Sequence, residues 1–282
     1  MSVPLSSVLR PARHKLKRTQ MPGIISQKTY LLNEEYASIR ERAIQFLNKY
    51  LDYPGLITFN DRDKSVIFST ERLILTASRN RPRVMLLFSN PHPCSVHQGM
   101  FLSRNTIGRE NLFWPTMEDA GWLPIPKEHR NPKQLADICL RANYGGPFEF
   151  IFYCYCAFPT DFPEDISRIF GRDYFSRVIE PESIDEFRKT IQKTSVEAVV
   201  TFNKGIFNLV SKDPIESYIE RLVEGELIQS QIQGIDGVVP IFLTFPTGWR
   251  YRKGYMQFRK DSLDTIRAAI SRELTSTEIN HP

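Results

Sequence analysis

The run Ser89-Asn90-Pro91-His92-Pro93 follows directly on an apolar segment, Val84-Met85-Leu86-Leu87-Phe88. A short apolar segment that stops in polar turn residues places those residues at the carboxyl edge of a sheet, where open α/β sheets bind their ligands. The residue types define the chemistry available there. The Asn90 carboxamide donates and accepts hydrogen bonds but is no strong base, so it can act only by positioning and electrostatics. His92, and His97 further along, are side chains able to move a proton near neutral pH. Two more apolar segments end in the same way. Residues 148–154 run into Cys156-Ala157-Phe158-Pro159-Thr160-Asp161-Phe162-Pro163, and residues 238–244 run into Phe245-Pro246-Thr247-Gly248-Trp249-Arg250-Tyr251-Arg252. If these segments are parallel strands, their ends project from one sheet edge. They then form a cleft with a polar floor, aromatic walls and a basic rim.

The elements that must position these loops are legible as alternating patterns. Strands are expected over residues 84–88, 148–154, 198–202 and 238–244. Helices are expected over 110–121, 132–142, 184–193 and 214–223, with a last one over 261–273. This alternation predicts βαβ units: a three-layer α/β/α domain with a central four-stranded, mostly parallel sheet. Before it, residues 35–51 carry Ile39, Ala43, Phe46 and Leu47 on one helical face. Residues 55–75 read as a hairpin, with Asp61-Arg62-Asp63-Lys64 as its turn and Ser65-Val66-Ile67-Phe68 as a strand. Residues 1–33 mix Pro, Ser, Gly and basic residues without a period and are expected to be a flexible basic arm. Residues 34–282 are expected to be one domain.

Charge narrows the partners. The chain has 282 residues and a formal net charge of +5, but no acid precedes Glu34. Arg10, Arg13, Lys15, Lys17, Arg18 and Lys28 all lie in that stretch, and setting them aside leaves 31 basic against 32 acidic residues. A second basic cluster, Arg250, Arg252, Lys253, Arg259 and Lys260, lies in a stretch without an acid from Thr247 to Lys260. Two basic features on a near-neutral body point to a defined polyanion contact. No segment approaches the ~18 apolar residues of a membrane span, and the first 20 residues lack the apolar run of a secretory signal. Cys94, Cys139, Cys154 and Cys156 show no CxxC spacing and are expected to be reduced thiols in a cytoplasmic protein, without a metal. The phosphate-binding and dinucleotide-binding glycine motifs are absent, so no nucleotide cofactor is expected.

Three short motifs in order resemble the uracil-DNA glycosylase superfamily. Leu87-Phe88-Ser89-Asn90-Pro91 corresponds to a strand followed by Gly-x-Asn-Pro or Gly-x-Asp-Pro, and Gly99-Met100-Phe101-Leu102 to a Gly-x-x-Phe element. Asn111-Leu112-Phe113-Trp114 through Ala120-Gly121 corresponds to the helix that follows. The tip Phe245-Pro246-Thr247-Gly248-Trp249-Arg250 resembles the Asn-Pro-Ser-Gly-Leu-Ser loop of the mismatch-specific uracil/thymine branch. The likeness spans roughly residues 80–270 and is carried by these loops.

The resemblance implies a monomeric DNA glycosylase without metal or cofactor. It would flip uracil or a related base out of single- or double-stranded DNA and hydrolyse its bond to the sugar. Asn90 would position the water. Phe101, or Leu102 one residue on, would stack the base. Ser89, Pro91, His92 and Tyr155 would lie along the base edge or in the loop that carries it. Thr247, Gly248 and Trp249 would form a wedge in the duplex, with Arg250, Arg252 and Lys253 on flanking phosphates. In a bacterium the protein would sit with the nucleoid. Three positions depart from the family: Phe88 stands for the usual Gly, Phe245 for the His of many branches, and no Asn occurs in Tyr153-Cys154-Tyr155-Cys156. These departures keep open a protein that binds DNA or a modified base on the same fold with weak or no cleavage. A small-molecule α/β enzyme sharing only the strand-loop geometry is the third possibility.

Overall fold

The computed structural model describes residues 23–47, 53–103 and 109–279. Among the described residues eight strands form one mixed sheet. They are β1 (Ile25–Leu31), β2 (Ile57–Asn60), β3 (Ser65–Leu73), β4 (Arg83–Phe88), β5 (Glu149–Cys154), β6 (Ala198–Thr201), β7 (Ile228–Gln231) and β8 (Pro240–Leu243). The order across the sheet is β1-β3-β5-β4-β6-β8-β7, with β2 pairing β3. The four strands expected from the sequence are its parallel centre: β4 pairs β5 and β6 in parallel, and β6 pairs β8 in parallel. The sheet is wider than the four strands expected, because antiparallel strands extend both sides.

The helices are α1 (Tyr36–Leu47), α2 (Pro93–Gln98), α3 (Phe113–Asp119), α4 (Pro132–Leu140), α5 (Pro163–Phe170), α6 (Arg172–Tyr174), α7 (Glu180–Thr194), α8 (Lys204–Val210), α9 (Ile219–Val223) and α10 (Tyr255–Ile279). Side chains on successive strand residues point to opposite faces, and the two faces feed two separate cores. Met85, Leu87, Ile151, Tyr153, Val199, Ile241 and Leu243 pack with Ile39 of α1, Ile166 of α5, Phe187 of α7 and Phe207 of α8. Val84, Leu86, Phe88, Phe150, Phe152, Cys154, Val200 and Phe242 pack instead with Phe113 of α3, Leu135 of α4 and Ile266 of α10. Strands buried on both faces read as continuous apolar runs, which is why β4, β5 and β8 are visible in the sequence.

The flexible arm expected through residue 33 gives way earlier. Ile25–Leu31 pair antiparallel with β3, and Tyr30 is buried between Phe68 and Phe170. Residues 1–22 of that arm lie outside the described residues, as does the end of the helix expected over 35–51. The hairpin expected over 55–75 is present as β2 and β3. Among the described residues no helix is long and apolar enough to cross a membrane.

Candidate functional site

The ends of the parallel strands converge. Hydrogen bonding between neighbours continues past the ends of β4 and β5: Tyr155 N–H donates to Phe88 O and Cys156 N–H to Ser89 O, both at 2.8 Å, and Thr160 N–H donates to Pro91 O at 3.1 Å. The loop after β5 is thereby fastened along the loop after β4. Between these loops, α2 and the tip after β8 lies a cavity of about 320 Å3. That lies within the usual size range of small-ligand sites. Ser89, Asn90 and His92 line it from the β4 loop, Thr160 and Asp161 from the β5 loop, and Pro246 and Thr247 from the tip. Phe101 and Leu102 close one side.

Asn90 is held in one orientation. Its Nδ2 donates to Thr160 O at 2.7 Å and to Thr160 Oγ1 at 2.9 Å, with Pro91 O at 3.3 Å. A carbonyl oxygen only accepts, so the contact with Thr160 O fixes which end of the amide is the NH2. The Thr160 hydroxyl spends its proton on Phe162 O, 2.8 Å away, and so meets Asn90 as an acceptor. Asn90 Oδ1 accepts from Ser89 Oγ at 3.0 Å. A carbonyl oxygen has two lone pairs, so this leaves one for a further donor. The side chain is a preoriented acceptor at the cavity wall.

His92 caps α2, with Nδ1 accepting from Cys94 N–H at 3.2 Å. The ring proton of the neutral form is then on Nε2, which faces Asp161 Oδ1 at 3.2 Å. Burial pushes the His92 imidazole below its usual range and the Asp161 carboxylate pulls it part of the way back. His92 is a neutral donor to Asp161 rather than a free base.

The aromatic wall is built from more rings than the sequence singled out. Phe101 is buried against Phe88 and Phe152, with ring centroids 5.7 and 5.5 Å away. Phe88 stacks on Phe202 at 5.3 Å with the planes 4° apart, and both line the cavity. Leu102 takes φ +47°, a left-handed conformation that costs energy for a side chain with a Cβ. Its carbonyl accepts from Trp114 Nε1 at 2.8 Å, which fastens the turn to α3.

Two assignments made from the sequence are corrected. Trp249 is not a protruding wedge: it is 4% exposed, with its ring stacked on Phe245 at 4.4 Å and packed against Phe258. It belongs to the core on the face of the sheet opposite Phe88 and Phe101. The exposed aromatic of this tip is Tyr251, 89% exposed and flanked by exposed Arg250, Arg252 and Lys253, with Gly248 also at the surface. Tyr155 does not lie on the cavity. It is buried against Phe187 in that same opposite core, because residue 155 points away from the face that Cys154 occupies. Pro91 is buried and contributes its carbonyl, not its ring, to the loop clamp.

Several cavity residues were not anticipated. Asn203 at the end of β6 lines it while capping α8 through Ile206 N–H, and Asn111 lines it while capping Phe113 N–H. The most consequential is Glu71 of β3. It is 4% exposed, it lines the cavity, and its Oε2 has no hydrogen-bond partner among the described residues. Burial pushes its carboxyl well above the ordinary carboxylate range. Leu73, two residues on along β3, shares its face of the sheet and the core that contains Phe88, but Ser65 and Ser69 also lie on that face, so no apolar alternation marked Glu71 in the sequence. Among the described residues no group of three or more His, Cys, Asp or Glu is arranged to hold a metal ion. No protein-family model matches the chain, and no curated protein matches it.

Proposed function

We propose that this protein is a DNA glycosylase-like hydrolase of the uracil-DNA glycosylase type, acting as a monomer on uracil or a related base flipped out of DNA. The observation that carries the reading is the fixed Asn90 carboxamide, clamped by Thr160 at the strand end and keeping one Oδ1 lone pair for a donor beside the aromatic wall. The order of the Asn90, Phe101 and Asn111 motifs along the chain supports it, and so does a sheet with parallel central strands and helices contributing to the cores on both faces. On this reading the domain is the three-layer arrangement of that superfamily.

The chemistry follows from the groups present. The flipped base enters the cavity against Phe101 and Leu102. A water donates one hydrogen bond to Asn90 Oδ1 and points its oxygen at the sugar C1′. The C1′–N bond breaks, the base leaves with the bonding electrons, and the water oxygen bonds to C1′. The proton shed by the water neutralises the departing base. An amide cannot take that proton in the transition state, so the rate comes from positioning and from the fixed dipoles. The exposed Tyr251, Arg250, Arg252 and Lys253 meet the duplex, the cations on phosphates.

One observation favours a second reading, a binding protein that does not cleave. Phe88 puts a ring on the cavity wall where the family carries glycine, and Trp249, the residue expected to fill the flipped base's place, is buried. Uracil-containing single- and double-stranded oligonucleotides, treated with the protein and then alkali, decide between them. Strand breaks at uracil that vanish in Asn90→Ala support the glycosylase. Salt-sensitive DNA binding without breaks at uracil, hypoxanthine, xanthine or mismatched thymine supports the binding protein. Salt-insensitive or absent binding removes both.

A further inference from the structure

A buried carboxyl with nothing to bond is costly unless a ligand completes it. Removing a polar group from water without a partner loses its hydration uncompensated. The chain also contains a satisfied counterpart. Glu149 of β5 is fully buried, and its carboxylate accepts from Ser78 Oγ at 3.1 Å, from the Arg79 backbone N–H and from Arg83 Nε at 3.5 Å. Among the described residues Glu71 has no such set, and its Oε2 has no partner. Arg72 beside it points to the opposite face, where it meets Tyr153 and Glu186. The titratable groups near Glu71 are the thiols of Cys94 and Cys154, with His92 and Asp161 on the same cavity wall, and none supplies it with a hydrogen bond or an ion pair.

We infer that Glu71 recognises the ligand's polar edge, pairing as a neutral carboxylic acid with a hydrogen-bond donor and an adjacent acceptor on the rim of a planar heterocycle. A carboxylic acid presents an O–H donor and a C=O acceptor one carbon apart. The N–H and C=O of a lactam, as in uracil or hypoxanthine, have the matching spacing, so two parallel hydrogen bonds form. This supplies the edge recognition for which no asparagine is present at the end of β5. A uracil carrying substituents on both N1 and N3, as in an N3-methylated nucleotide, has no N–H beside a carbonyl and is refused because one carboxyl oxygen then faces a methyl group. The inference rests on the proposed function only in taking the ligand to be a nucleobase.

The test measures binding rather than cleavage. N1-methyluracil, which keeps the N3–H between its two carbonyls, and 1,3-dimethyluracil, which has no N–H, are titrated as free bases into the full chain by saturation-transfer NMR. Uracil and N3-methyluracil nucleotides, whose N1 bears the sugar, are each placed singly in a single-stranded oligonucleotide and titrated into Asn90→Ala protein, which separates a free base from a base in DNA. Wild type should prefer the N3–H form over the N3-methyl form of each pair by roughly tenfold or more, the loss expected for an unmade pair of hydrogen bonds. Glu71→Gln, which keeps a donor beside an acceptor, should retain that preference, and Glu71→Leu should abolish it while remaining folded by circular dichroism. Preference unchanged in Glu71→Leu, or no preference in wild type with either probe, overturns the inference. If preference is retained but no oligonucleotide is cleaved, the inference stands and the glycosylase reading falls.

Discussion

Replacing Glu71 by Gln should stabilise the protein by an amount that grows with pH. The Glu71 carboxyl is buried among apolar and thiol neighbours, which pushes its titration well above the ordinary carboxylate range in the folded chain. The unfolded chain ionises it near the ordinary value of 4.5. Between those two points the folded state holds a proton that the unfolded state has released. Stability is therefore fully present below the unfolded value and is lost as pH rises toward the folded one, at about 1.4 kcal/mol per pH unit. Glutamine has the same shape and no proton to lose, so it is free of this penalty. Across two pH units above the unfolded value, with the folded carboxyl still protonated, the variant should gain about 2.7 kcal/mol on wild type. Urea denaturation of both proteins at pH 5.5, 6.5 and 7.5 measures the difference, and every other titrating group cancels in it. A difference that stays flat with pH would refute the reasoning, because it would mean that Glu71 is already ionised and partnered in the fold.

The other expectations concern the loop clamp, the tip and the rim. Thr160→Val removes one acceptor from Asn90 Nδ2 and leaves the Thr160 carbonyl in place. Base release should fall roughly tenfold, against complete loss in Asn90→Ala, with both rates read from alkali-labile breaks. Equal rates for Thr160→Val and wild type would show that the hydroxyl plays no part in orienting the amide. Trp249→Ala should cost about 3–5 kcal/mol in urea denaturation, as for any large buried aromatic, whereas a surface wedge would cost almost nothing. Tyr251→Ala should leave stability within about 0.5 kcal/mol of wild type and weaken DNA binding by about 1–3 kcal/mol if its ring stacks on a base. The triple change Arg250→Ala, Arg252→Ala, Lys253→Ala should lower the dependence of DNA affinity on salt by up to about 0.9 for each phosphate no longer neutralised; an unchanged slope would place the polyanion elsewhere.

What could be read from the chain depended on how much of each segment is buried. β4, β5, β6 and β8 are covered on both faces and appear as apolar runs. β1 and β7 were missed for the opposite reason. β1 buries Tyr30 alone along Ile25–Leu31, and β7 is a four-residue alternation, Ile228-Gln229-Ser230-Gln231. The position of Asn90 on the cavity was legible because the polar turn Ser89-Asn90-Pro91-His92 follows directly on the buried strand β4. Trp249 misled because a glycine, basic residues and an aromatic in one tip suggest exposure. The chain instead turns at Pro246, where Trp249 N–H bonds back to its carbonyl at 2.9 Å and folds the ring onto Phe245. Glu71 escaped because the strand containing it continues past Phe68 to Leu73, and only that extension assigns its face.

The three backbone hydrogen bonds that fasten residues 155–160 along residues 88–91 also limit how this site can diversify. Each of these N–H groups is committed to a carbonyl of the other loop, so inserting or deleting a residue in either loop breaks the register of both. Length changes would have to arise in pairs. New ligand preferences are therefore accessible mainly by exchanging side chains on a fixed backbone, at Phe88, Leu102, Thr247 and Glu71. A library aimed at altered specificity should vary those positions and leave both loop lengths untouched.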